Sequence, residues 1–242
     1  MSKELSTPVQ QALAKQRESA AARLEGISSG DTMQFIKGKA NKWRLPDGEA
    51  VGSELPVVVL DWAYHNSYWS GPYDPSNNTP PDCVAVGATV SDMKPSQNSL
   101  NIQNDGNPCA TCQWNQFGSG GGNRKACKNT IVLAVMRFDE NEEDDAIYFI
   151  SVPPSALRNW TDYYGKLAEK GMAPAEVVTV IGFDPNVDHY KPVFSADRNL
   201  TKQYREEDED GASYFSNYVD FLPKATNAVL REPSFRTEEN AA

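Results

Sequence analysis

Four cysteines constrain this chain more than any other feature: Cys83, Cys109, Cys112 and Cys127. The N-terminal stretch MSKELSTPVQQALAKQRESAAARLEG has no apolar signal-peptide core, and no run approaches a membrane span. The expectation is therefore a soluble, cytoplasmic protein, in a reducing compartment where structural disulfides are rare. Another use for the thiols is needed. Cys109 and Cys112 form a CxxC knuckle, a spacing that lets two thiolates converge on one ion, and Cys83 and Cys127 flank it across 25 and 14 intervening residues. Together they fill a tetrahedral shell, which predicts a structural zinc with no open position for water. An iron–sulfur cluster also takes four thiolates, and buried free cysteines are the plain alternative. Prolines 80, 81 and 108 and the glycines of residues 118–122 put every candidate ligand on turn-forming chain.

Around the cysteines the pattern is mainly β. Short β-rich runs at 32–37, 55–63, 84–90, 130–138 and 146–152 alternate with Gly, Pro, Asn and Asp turns. Pro153 and Pro154 introduce a helix over 155–170, closed by Gly171, with Leu157, Trp160, Tyr164, Leu167 and Ala168 as its buried stripe. Two further runs, 176–183 and 190–194, follow. Several strands, a helix and two more strands is the order of an OB-fold barrel, so the expected class is α+β, mainly β with flanking helices. Residues 64–130 exceed any hairpin loop, and a metal-pinned insertion would explain their persistence. The expected organisation is an N-terminal helical arm over 1–29, the OB-like domain over 30–204 and an acidic tail over 205–242. The arm rests on Thr7, Pro8 and Gln10, which would open a helix running to Leu24.

Charge is segregated by sign. The net charge is −10, yet residues 139–145 carry six acids and residues 205–242 carry nine acids against four bases, which leaves the remainder near neutral. The acidic balance therefore does not exclude an anionic ligand. Lys37, Lys39, Lys42 and Arg44 surround Trp43, and Arg124, Lys125 and Lys128 surround Cys127. Trp62, Tyr64, Tyr68, Trp69 and Tyr73 crowd into one short stretch, and flat rings in polar company offer stacking platforms for unpaired bases. Trp62 continues an apolar run and reads as core, whereas Tyr68, Trp69 and Tyr73 lie among polar residues. The aromatics after the 206–210 acidic run, Tyr214, Phe215, Tyr218 and Phe221, would dock either on the domain or on a partner.

Catalytic signatures are missing from the sequence. There are two histidines, His65 and His189, and no GxSxG, HExxH or acidic two-metal motif. Residues 118–125, GSGGGNRK, lack the GK[ST] ending of a phosphate-binding loop.

In layout the chain resembles the zinc-containing single-stranded-DNA-binding proteins of tailed phages. The likeness rests on the short β-runs, the CxxC-centred insertion CATCQWNQFGSGGGNRKACKN, the helix carrying Trp160 and the acidic C-terminal region. It implies an OB-fold, structural zinc on Cys83, Cys109, Cys112 and Cys127, no catalysis, and an acidic tail that recruits replication and recombination enzymes. The residues themselves suggest a sequence-tolerant binder using Lys37, Lys39, Lys42, Arg44, Arg124, Lys125 and Lys128 for phosphates, and Trp43, Tyr68, Trp69 and Tyr73 for bases. Two other classes stay open. One is an acidic interaction protein that regulates a host nucleic-acid enzyme. The other is a nuclease using carboxylates such as Asp61, Asp74 and Asp82.

Overall fold

The computed structural model describes residues 33–71, 79–97, 99, 108–139, 146–200 and 213–233. The expected N-terminal arm, the 139–145 turn beyond Asp139, and residues 201–212 and 234–242 lie outside them. Among the described residues no helix is long and apolar enough to cross a membrane.

The molecule is built on one long strand. β4 (Leu55–Tyr68) pairs antiparallel along its length with β6 (Lys128–Arg137), which in turn pairs with β7 (Tyr148–Val152). On its other edge β4 is shared, its first residues pairing with β8 (Val177–Phe183) and its last with β5 (Cys83–Gly87). β9 (Pro192–Asn199) closes the order as β7-β6-β4-β8-β9. The class is α+β, mainly β, and the sheet is not closed into a barrel.

The run Val57, Val58, Val59, Leu60 is apolar without alternation because both faces of the sheet are covered. A bulge between Val59 and Asp61 then flips the phase of the strand. Val57 and Val59 before it, and Trp62 and Tyr64 after it, pack with Ile131, Leu133 and Val135 in one core. Helix α1 (Leu157–Glu169) covers that side with Trp160, Tyr163 and Leu167. The expected stripe is off by one residue. Tyr163 is the buried tyrosine, its hydroxyl 2.6 Å from Thr179 Oγ1, while Tyr164 is exposed.

The opposite face is covered by α2 (Ser213–Val229), whose Ala225 and Val229 are buried against Val58, Leu60, Ala63, Val132 and Ala134. The Thr226 hydroxyl donates to Asp61, and His65 Nε2 lies 2.7 Å from the Val229 carbonyl oxygen. The region expected as an acidic tail over 205–242 thus holds a helix packed on the domain.

A three-stranded sheet, β1 (Lys37–Lys39), β2 (Lys42–Arg44) and β3 (Ala50–Gly52), sits near the start of β4. Its first turn uses left-handed Ala40 and Asn41, with φ of 51° and 54°, which suits the twist of a two-residue hairpin. Trp43 pegs it to the main sheet. The indole is fully buried, donates to the Ile181 carbonyl at 2.9 Å and packs on Phe183 and Tyr190. Gly38 is required at this contact, since a Cβ there would stand 2.5 Å from the Tyr190 ring.

Candidate metal centre and nucleic-acid interface

The cysteine module is raised on the far end of β4. Cys83 opens β5 opposite Tyr68, and Cys127 directly precedes β6, whose Lys128 pairs with Ser67. Two of the thiols therefore bracket the end of the central strand, one on each edge. Residues 64–68, expected within the insertion, belong to this strand, and Cys83 lies on a strand instead of a turn.

The knuckle folds over that end. Cys112 N–H donates to Cys109 O at 3.2 Å and Asn115 N–H to Cys112 O at 3.0 Å, giving two short 3₁₀ turns. Asn115 Nδ2 donates to Cys109 O, and Asn115 Oδ1 accepts from Asn129, whose amide also reaches Asn66 on β4. Trp114 stacks on Tyr68 with centroids 5.1 Å apart and planes 20° from parallel. Cys127 N–H donates to Trp114 O at 2.8 Å, returning the chain to β6.

All four thiols line one cavity of about 20 Å³, together with Asn66, Tyr68, Trp114 and Asn115. That is room for a single water-sized species. Burial pushes the Cys127 thiol up to about 12, with added repulsion from Cys109, Cys83 and Cys112. It pushes Cys109 up to about 11, and raises Cys83 against a hydrogen bond from Ser99. Among the described residues no group of three or more His, Cys, Asp or Glu is arranged to hold a metal ion as it stands. Four sulfurs that repel one another as thiolates and share one small cavity are a donor set suited to a soft cation.

The expected phosphate-binding residues fall into two separate groups. Lys37, Lys39, Lys42 and Arg44 are all exposed on one face of the β1–β2 hairpin, with Lys37 opposite Arg44 and Lys39 opposite Lys42. Like charges in direct cross-strand register are destabilising. Arg124, Lys125 and Lys128 belong to the cysteine module, at the other end of β4, about 40 Å away along the 14-residue strand.

The aromatic expectations need correction. Trp43 is no stacking platform, because its ring is wholly enclosed and its N–H is consumed by Ile181. Tyr68 is 7% exposed and already stacked on Trp114, so it too serves the fold. Trp69 remains 39% exposed while its indole donates to Thr79 O at 3.0 Å. Tyr73 and Asp74 lie outside the described residues. Of the carboxylates considered for a nuclease, Asp61 accepts from Thr226 and from the Trp62 N–H, and Asp82 accepts from the Ser70 amide and hydroxyl. Both serve as structural acceptors.

Two exposed rings escaped the sequence reading. The stripe expected to be buried includes Tyr164, which is exposed, as is Phe117 beside the glycine-rich turn. Its position between polar residues and glycines, next to Arg124 and Lys125, was the available signal. Comparison with known proteins finds no matching family model, no matching curated protein and no matching solved structure.

Proposed function

We propose that this chain binds single-stranded DNA with little sequence preference, as a non-enzymatic component of phage DNA replication or recombination. The observation that carries the reading is the exposed face of the β1–β2 hairpin. It opposes Lys37 to Arg44 and Lys39 to Lys42, an arrangement that destabilises the free hairpin and that phosphates would relieve. In a chain of net charge −10 such a face selects an anionic ligand locally.

The strand order supports an OB-like reading of the domain. Taking β4, β6, β7, β8 and β9 as five successive strands, α1 falls between the third and fourth, as in an OB-fold, and the order runs third, second, first, fourth, fifth. The pair that would close a barrel, β7 with β9, is not hydrogen-bonded. In OB-folds the connections after the first and fourth strands border the oligonucleotide. Here these are the cysteine module and residues 184–191.

One zinc held by Cys83, Cys109, Cys112 and Cys127 would be structural, tying the module to the end of β4. Bound there, it supplies the positive charge that four thiolates around one cavity need. Any recruitment of replication or recombination enzymes falls to the acidic C-terminal residues.

Fluorescence anisotropy with labelled single- and double-stranded oligonucleotides, over a salt series, tests the reading. Single-strand affinity should fall with salt at a log–log slope near −0.7 per phosphate contacted. The Lys39→Glu, Lys42→Glu double variant should bind more weakly, with a shallower slope. Salt-independent binding, or a preference for duplex, would overturn the assignment.

A further inference from the structure

Phe117 is 72% exposed, the most exposed of the large apolar side chains described. The backbone on which the ring stands is closely hydrogen-bonded. The turn that carries it is closed by the amides of Gly118 and Gly120, which both donate to Arg124 O at 2.9 and 3.0 Å. The Ser119 hydroxyl sits within 2.9 Å of Trp114 O and accepts from the Ala126 amide. A Cβ on Gly120 would stand 2.7 Å from the Lys125 backbone, so the two arms of the turn meet at van der Waals limits. The ring therefore projects from a rigid tip that is fixed by the same Trp114 and Cys127 that build the cysteine module.

Its surroundings select a ligand class. The Lys125 ammonium lies 5.1 Å from the Phe117 ring centroid and 3.3 Å from Asn115 Oδ1, covering one side of the ring with positive charge. Arg124 and Lys128 are exposed nearby in sequence, and no carboxylate among the described residues pairs with any of the three. From Gly106 to Phe138 the sequence has no acid and four bases, in a chain of net charge −10. An apolar protein partner would leave these cations without counterions. A molecule offering a flat π-face flanked by negative charge satisfies both the ring and the cations.

We propose that the tip of the cysteine module is a base-stacking site, with Phe117 as the platform for an unpaired nucleobase and Arg124, Lys125 and Lys128 holding the adjoining phosphates. This deepens the single-strand reading, on which it rests, and assigns the contact to a residue distinct from Trp43, Tyr68 and Tyr73.

The test compares the full chain with Phe117→Ala and Phe117→Trp, using a labelled thymidine oligonucleotide and an abasic oligonucleotide of equal length. Phe117→Ala should weaken thymidine binding by about 5- to 150-fold, the range of one stacked base, with the salt slope and melting temperature unchanged. It should leave abasic binding unaltered, and Phe117→Trp should restore the thymidine affinity. Normal thymidine binding by Phe117→Ala would overturn the tip assignment while leaving the hairpin reading standing. Equal losses on both oligonucleotides would show a structural role and overturn it as well. Failure of the unaltered chain to bind either oligonucleotide would overturn both proposals.

Discussion

Replacing Trp43 separates a peg from a platform. The indole is fully enclosed, its ring 4.8 Å from Phe183 and 5.9 Å from Tyr190, and its N–H is the donor to Ile181 O at 2.9 Å. Trp43→Ala removes a complete core ring and leaves a cavity between the small sheet and β8, a change of about 3–5 kcal/mol for a buried aromatic. For a domain of this size each kcal/mol lowers the melting temperature by about 2–4 °C, so the midpoint should drop by roughly 6–20 °C. Trp43→Phe keeps a ring on Phe183 but deletes the donor, and the unsatisfied carbonyl should cost about 1–3 kcal/mol. Circular-dichroism melts and oligonucleotide anisotropy on the same preparations give both readouts. At a temperature where each variant is folded, Trp43→Phe should bind single strands as the parent does, since the cations of the hairpin face remain. A Trp43→Ala protein that melts with the parent yet loses a stacking increment of affinity would refute the argument, because that is how an exposed platform behaves.

Three further outcomes follow from the packing and the charges. Truncation after residue 212 removes Ala225 and Val229 from the core and uncovers Val58, Leu60, Ala63 and Val132; it should lower the melting midpoint and raise dye binding to exposed apolar surface, and a truncated protein as stable as the full chain would be inconsistent with α2 as a structural element. His65 is held below its ordinary value of 6.5 by burial beneath α2, so the folded state prefers the neutral ring: this contribution is complete above 6.5 and is lost as the pH falls through 6.5 toward the lower folded value, visible as a decline in stability that a His65→Asn variant, melted at the same series of pH values, should not share. The Asp184 carboxyl, held by Lys191 at 2.8 Å and by the Asn186 amide, should titrate at about 2, and its chemical shift moving through the normal carboxylate range instead would contradict that contact.

The sequence by itself determined those features that depend on local pattern. Alternation and turn residues located β5 to β8 to within a few residues but only the start of β9, and Pro153, Pro154 and Gly171 bounded α1 because proline fixes φ at a helix start and glycine takes the left-handed position at its end. The CxxC spacing and the two flanking cysteines marked a single thiol cluster, and the structure gathers all four around one cavity. Whether a side chain faces the core or the solvent depended on contacts far along the chain, and there the tertiary structure decided. Trp43 lies among four cations and reads as exposed, yet its partner Ile181 is 138 residues away, and a basic strand can bury its one inward side chain beneath a distant sheet. Val229 and His65, 164 residues apart, bring a helix from an acidic region onto the sheet, a pairing that net charge obscured. Phe117 shows the converse. Nothing in its residue type foretold exposure, and it stands in solvent at a glycine turn whose backbone is closed by the Gly118 and Gly120 amides on Arg124 O.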